Sequence, residues 1–400
     1  MPGTSALLDR FSTGALLRPG DPAQPSTVDL ALALASLAGA PVPRSDGAAA
    51  IVDRIGDAEH LVFVLVDGLG LEVVEALPPS AWLRQHVALG LRSVFPSATA
   101  SALTSLATGL WPNRHAIPGW WTYLPDRDLT ITCLPFVERW SGEPLPTRGV
   151  NVAEVFPAAT LLTCFTRDAV SFLPAAIADT AYSRYVRGAT PTVAYDKLPR
   201  AIDAVIDRVR GAAAPTYSYL YLSSVDALSH TFGPHSHPVR DHLAGLDAEL
   251  ARLANGLAGR ARLALSADHG LIEVPAERKH LLLADDPLVR LLRAPPSGEP
   301  RSPLFHVREG ARDAFRAAFD ERFGRLFTLL ATDEAESLEL FGPGPPTDLA
   351  RARIGDFVAV AHDSDVILYR PGDEATGTEL LVGYHGGLLP AEVRIPLVVS

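Results

Sequence analysis

The chain has 400 residues, with 35 Lys and Arg against 46 Asp and Glu, and a formal net charge of −11 at neutral pH. It lacks the basic surplus that displaces counterions from a phosphate backbone, which excludes a nucleic-acid polymer as the expected partner. With 48% hydrophobic and 20% charged residues, it can bury a large core, which excludes a mainly disordered protein.

The N-terminal MPGTSALLDRFSTG lacks a basic stretch followed by an apolar one. No apolar run approaches the roughly 18 residues of a membrane span, so a cytoplasmic protein with no membrane partner is expected. Residues 61–66, LVFVLV, form a β-branched apolar run that predicts a strand buried on both faces, ending at Asp67-Gly68. In 93–120, Pro96 closes an extended segment. The hydroxyls of Ser97, Thr99 and Ser101 then precede a helix-like ALTSLATGL stretch closed by Gly109. Cys133 and Cys164 are too few and too far apart for a disulfide framework or a paired-cysteine metal site.

Further along, Leu198, Ile202, Val205 and Val209 keep to helical spacing, as do Leu243, Leu246, Leu250, Leu253 and Leu257. Two more buried-strand runs, 217–222 and 261–266, lead into Asp226 and into Asp268-His269-Gly270. Pro/Gly-rich stretches at 294–303 and 341–346 bracket a helix-like 311–323, and strand-like 357–361, 366–369 and 395–399 come after it. Buried strands alternating with amphipathic helices predict an α/β fold with helices on both faces of the sheet. The expected organisation is an N-terminal extension (1–30), a core (31–275 with 376–400) and an inserted α+β subdomain (276–375). In such sheets ligands sit at the carboxyl ends of the strands, where these Asp residues gather.

Asp226 and His230 are four apart, so one helical turn can aim both at one ion. Together with Asp67, Asp268, His269 and His385 they make three carboxylates and three imidazoles, a donor set for one or two borderline metals. Taken singly, an Asp after a strand is a turn former or cap, and a His between glycines is a loop residue; their conjunction at strand ends points to a metal site. A hydroxyl at the start of the 99–109 segment would lie beside unpaired backbone N–H groups, a ready anion site.

Together these motifs resemble the alkaline phosphatase superfamily, most closely its type I phosphodiesterase/nucleotide pyrophosphatase family. The resemblance runs through Asp67-Gly68, Phe95-Pro96-Ser97-Ala98-Thr99, Thr108-Gly109, Pro112, His115, Asp226 to His230, Asp268-His269-Gly270 and Gly383 to Gly386. It implies an alkaline-phosphatase-like, mixed but mostly parallel sheet between helices. It also implies two zinc ions, with Mn, Fe or Co as alternatives. Asp226, His230 and His385 would hold one ion and Asp67, Asp268 and His269 the other, with Thr99 bridging toward the second. Thr99, ten residues before Gly109, takes the position of the nucleophile in preference to Ser97 and Ser101. The implied activity is hydrolysis of a small phosphodiester or pyrophosphate through a phosphothreonine. The alternative is a phosphomonoester, phosphonate or sulfate ester hydrolase of the same superfamily, and a silent binding protein on the same fold is a rival of another class.

Two departures from the family pattern stand out. Ala102 occupies the place of an Asn whose amide binds a phosphoryl oxygen, a loss that Ser101 or the Ala100 N–H could make good, and His115-Ala116-Ile117 replaces His-Gly-Ile. Trp111, Trp120, Trp121 and Tyr123 are read as core or as a stacking surface, and His235, His237 and His242 as a solvated loop. Arg114, Arg127 and Lys279 are candidates for binding a second phosphate.

Overall fold

The structure, a computed structural model, describes residues 2–400. Its central sheet runs Val87–Arg92, Arg394–Val399, Ala261–Ser266, His60–Val66, Thr216–Leu222, Asp168–Pro174, Thr192–Tyr195. The last five of these pair in parallel, and Arg394–Val399 lies antiparallel to both its neighbours. All seven residues of His60–Val66 are buried, as a β-branched run covered on both faces requires. The mixed, mostly parallel sheet flanked by helices is the fold expected from the sequence.

Helix Leu198–Gly211 buries Ala201, Ile202, Val205, Ile206 and Val209. Helix His237–Leu257 buries Val239, Leu243, Leu246, Leu250, Leu253 and Leu257, so the apolar spacing read in the sequence marks the face each turns inward. The stretch read as a solvated histidine loop differs: His237 already begins this helix, because Pro238 in the first turn presets φ and needs no donor. Helix Thr27–Leu37 starts in a capping box between Ser26 and Asp29.

A second, antiparallel sheet runs Phe327–Ala331, Phe357–Ala361, Ser302–Phe305, Ser297–Glu299, Trp121–Leu124, Leu129–Thr132, Val137–Glu138. Helix Arg312–Phe323 packs Phe315, Phe319 and Phe323 into the core behind it. Three of its strands come from 121–138, outside the 276–375 segment read as an insert, because the backbone of Trp121 pairs with Gly298. At the N-terminus, Leu7 and Leu16 are fully buried against Leu330, Val358 and Val360, so the 1–30 segment is integrated with this second layer. Arg301 and Glu392, both fully buried, form a bidentate pair at 2.9 and 2.8 Å. The pair ties the second sheet to the loop carrying His385, since Glu392 also accepts the Gly387 N–H at 2.8 Å. Among the described residues no helix is long and apolar enough to cross a membrane.

Candidate metal centre and substrate cavity

The carboxyl ends of the three central strands place Asp67, Asp226 and Asp268 side by side. Asp67 comes directly after His60–Val66, its N–H donating to Leu222 O at 2.8 Å. Gly68 then turns with φ +74°, and a Cβ there would lie 2.9 Å from Asp226 Cα. Only glycine lets the two strand ends approach this closely. Asp226 and His230 lie one turn apart on helix Ser224–Phe232, the helical alternative for that pair, with His230 Nε2 3.3 Å from Asp226 Oδ1.

Asp268 and His269 are adjacent, yet both face the site because the chain has left the strand. Asp268 Oδ1 accepts the N–H groups of Gly68 and His269, both at 3.0 Å. Its Oδ2 lies 3.4 Å from His269 Nε2, which is 3.6 Å from Asp67 Oδ1. His385 stacks on His269 with ring centroids 3.8 Å apart.

Thr99 opens helix Thr99–Thr108, with its Oγ1 3.0 Å from His269 Nε2. Ser97 Oγ donates instead to Gly387 O at 2.8 Å and Ser101 Oγ to Ile117 O at 2.9 Å. Thr99 is therefore the hydroxyl of the three that faces the carboxylates. Ser101 is spent on that carbonyl and cannot replace the missing Asn amide, which corrects the expectation from the sequence. The Ala100 N–H, in the first turn, has no intrahelical acceptor.

Each imidazole is held by a carbonyl at Nδ1: His230 by Gly383 O at 2.7 Å, His269 by Gly270 O at 3.2 Å, His385 by Ser97 O at 3.2 Å. A carbonyl only accepts, so each Nδ1 carries a proton and Nε2 is the nitrogen turned toward the carboxylates. Burial, with the neighbouring His269 and His230, lowers the pKa of His385 and keeps it neutral. Burial and then the charges of Asp268 and Asp226 raise that of Asp67; burial raises that of Asp226 against the pull of His230 and His269.

Asp67 Oδ1, Asp226 Oδ1 and Asp268 Oδ2 are buried without a hydrogen-bond partner among the described residues. Three buried carboxylate oxygens without a partner are costly unless cations neutralise them, so these residues fit divalent metal ions. Donor atoms of Asp226, His230 and His385 lie within 4.8 Å of one another, as do those of Asp67, Asp226 and His269. Asp226 thus stands between the two groups.

Sequence reasoning missed two supports. Tyr221, inside a buried strand, donates its hydroxyl to Asp67 Oδ2. Glu299, 4% exposed, accepts the Trp120 N–H at 2.6 Å, and burial pushes its carboxyl up to about 8. The period-two tyrosines at 217, 219 and 221 were a readable signal for the first; nothing local marked the second.

A cavity of about 740 Å³ opens beside the carboxylates, lined among others by Thr99, Trp120, Trp121 and His385. Trp111 packs instead against the core, and Tyr123 is buried with its hydroxyl on Asp128 at 2.5 Å. Arg114, Arg127 and Lys279 are not among the lining residues. Arg127 pairs with Glu154 at 2.6 Å, and Lys279 donates to Leu381 O at 2.6 Å. His237 pairs with Asp241 at 2.7 Å and His242 with Ser224 at 2.7 Å, neither at the centre. His115 is a buried brace, bonded to Ser105 at 2.9 Å and driven down to about 3 by burial. Ala116 beside it holds φ +64°, in the left-handed region that favours glycine.

The fold is the one expected of a hydrolase of the alkaline phosphatase superfamily. The family model of type I phosphodiesterase/nucleotide pyrophosphatase matches residues 61–388, and the chain belongs to that family. No curated protein matches it significantly by sequence. Among solved structures it is similar to murine ectonucleotide pyrophosphatase/phosphodiesterase 5, at 18% identity and TM-score 0.62 over 84% of this chain and 87% of that one. The same murine protein, as an inactive threonine-to-alanine variant in complex with AMP, superimposes with TM-score 0.61 at 18% identity, over 84% of this chain and 87% of that one. Phosphonoacetate hydrolase from Sinorhizobium meliloti 1021, in complex with phosphonoformate, superimposes with TM-score 0.59 at 18% identity over 85% of this chain and 89% of that one.

Proposed function

We propose that the protein is a dinuclear zinc hydrolase that cleaves a small phosphodiester or pyrophosphate through a phosphothreonine at Thr99. The observation that carries this reading is the Thr99 hydroxyl at a helix N-terminus, 3.0 Å from His269 Nε2, beside three orphaned carboxylate oxygens. Asp226, His230 and His385 would hold one ion, and Asp67, Asp268 and His269 the other, with Thr99 at its edge. Ions bound there supply Lewis acidity that lowers the pKa of the Thr99 hydroxyl and neutralises phosphoryl oxygens.

The protein's own groups do the rest. Carbonyls at Nδ1 fix the three imidazoles in the tautomer that leaves Nε2 free. Tyr221 orients Asp67. The Thr99 hydroxyl releases its proton to solvent and Oγ1 attacks phosphorus; the bond to the leaving oxygen breaks, and that oxygen departs taking a proton from solvent. Water then attacks the phosphothreonine, releasing the phosphorylated product and returning the hydroxyl. The first-turn N–H groups of Thr99 and Ala100 face the negative phosphoryl oxygens, where the helix dipole favours them.

AMP on the murine protein and phosphonoformate on the bacterial one support a small phosphorus-containing ligand here. Ala102 in place of the amide supports the second reading, the same machinery acting on a phosphonate or monoester. Metal analysis, with hydrolysis of bis-p-nitrophenyl phosphate and p-nitrophenyl phosphate before and after chelation, tests both. Two zinc ions per chain with chelator-sensitive diester cleavage in excess are expected. Activity on the monoester alone selects the second reading, and absence of metal after replenishment overturns both.

A further inference from the structure

The cavity beside Thr99 extends well past the reacting centre. Tyr217, Tyr219 and Tyr221 line it; alternating along strand Thr216–Leu222, they share one face and span roughly 13 Å at about 3.3 Å per residue. Phe63, Ser171 and Leu173 continue the same wall on the neighbouring strands. Opposite stand Leu103, Leu106 and Ala107 of helix Thr99–Thr108, whose three- and four-residue spacing puts them on one face. The helix that presents the nucleophile at its first residue therefore also walls the channel leading away from it. Leu161, Leu162 and Phe165 close the far side.

Negative charge is confined to one end of this space. Among the described lining residues the carboxylates are Asp67, Asp226 and Glu299, all at the centre, and the one arginine, Arg187, is paired with Asp179 at 3.0 Å. Of the lining hydroxyls, Tyr221 donates to Asp67 and Ser183 to Ile177 O at 2.6 Å. The aliphatic walls of Leu103, Leu106, Leu161, Leu162 and Leu173 offer no partner to the ring nitrogens and hydroxyls of a base and ribose, whereas a hydrocarbon chain loses nothing on entering between them.

We infer that the channel between strand Thr216–Leu222 and helix Thr99–Thr108 binds the long alkyl chain of a phosphate-ester substrate whose phosphorus sits at Thr99. This substrate class rests on the phosphodiesterase reading of the centre. The chain supplies binding energy and the centre supplies the chemistry, so selectivity depends on chain length and is indifferent to base identity.

The test uses the metal-replete full-length protein and a series of p-nitrophenyl alkyl phosphates, methyl, butyl, octyl and dodecyl, below their micelle concentrations. Phosphorus NMR registers cleavage of either ester bond. Each buried methylene contributes up to about 0.8 kcal/mol, or about fourfold, so kcat/KM is expected to rise at least ~100-fold from methyl to octyl and to level off once the channel is full. Half-buried Ala107 and Leu162 face the channel. In Ala107→Phe, or in Leu162→Trp should the first variant misfold, the octyl-to-methyl ratio is expected to drop at least ~10-fold, because the added ring displaces buried methylenes. Calorimetric binding of the matching alkyl phosphates to chelator-treated protein reads the channel independently of turnover. Chelator-sensitive hydrolysis that is flat across the series, together with chain-independent binding, overturns the alkyl channel and leaves the phosphodiesterase reading standing. Chain-dependent binding with no hydrolysis of any ester supports the channel and removes the hydrolytic reading instead.

Discussion

His230 Nδ1 lies 2.7 Å from the carbonyl oxygen of Gly383, a residue 153 positions further along the chain. The approach requires glycine, since a Cβ at 383 would lie 2.3 Å from the carbonyl oxygen of Ser229. Gly383→Ala must push the two segments apart and release the ring. Metal affinity is expected to fall about 10–100-fold, the usual cost of losing such an outer partner, as measured by competition against a chromophoric chelator. Gly377→Ala, where a Cβ meets open space, is the control and keeps wild-type affinity.

Thr99→Ala removes the nucleophile while leaving the carboxylates and imidazoles in place. Turnover is expected to fall at least about a thousandfold, with metal content within about twofold of wild type. His385→Ala and Asp226→Ala, by contrast, should lose metal as well. Steady-state rates paired with elemental analysis separate the cases, and a Thr99→Ala enzyme with wild-type turnover would remove the assignment.

Arg301 and Glu392 carry the second layer's hold on the His385 loop. Arg301→Met leaves Glu392 buried and unpaired, an expected loss of about 3–5 kcal/mol in urea unfolding. Because Glu392 also holds the Gly387 N–H, weaker metal binding should accompany the lost stability. A variant that unfolds like wild type would show that the pair contributes little to the union of the two layers.

Glu299 predicts a pH signature in chelator-treated protein. Burial raises its carboxyl from 4.5 to about 8 in the folded state, so between those values the folded protein binds the extra proton. Stability is then full at the acid end and declines as pH rises through the window, by up to roughly 1.4 kcal/mol per pH unit. Glu299→Gln should flatten that slope. Urea midpoints at several pH values across that window test it; equal slopes in both proteins would mean that the buried carboxyl does not control this range.

Much of the centre was legible because its residues sit in short segments with local rules. A β-branched run buried on both faces announces a parallel strand, and the carboxyl ends of such strands bring Asp67, Asp226 and Asp268-His269 to one edge of the sheet. The four-residue spacing of Asp226 and His230 needs only a helical turn, and the leucine spacing of 243–257 marks an inward helix face without reference to any partner. The order of these segments was enough to carry the family resemblance.

Other features depend on residues far apart in the chain. The spacing to Gly109 singled out Thr99 through the resemblance, but the contacts that turn Ser97 and Ser101 away, to the carbonyls of Gly387 and Ile117, join distant segments. The second sheet closes through Trp121 and Gly298, and the apolar channel is enclosed only when a strand from 216–222 packs opposite a helix from 99–108. Periodicity and motif record what a residue does among its neighbours in sequence. A tautomer, a buried carboxyl's protonation and the shape of a cavity depend on which distant groups desolvate and oppose it, and only the packed structure contains that information.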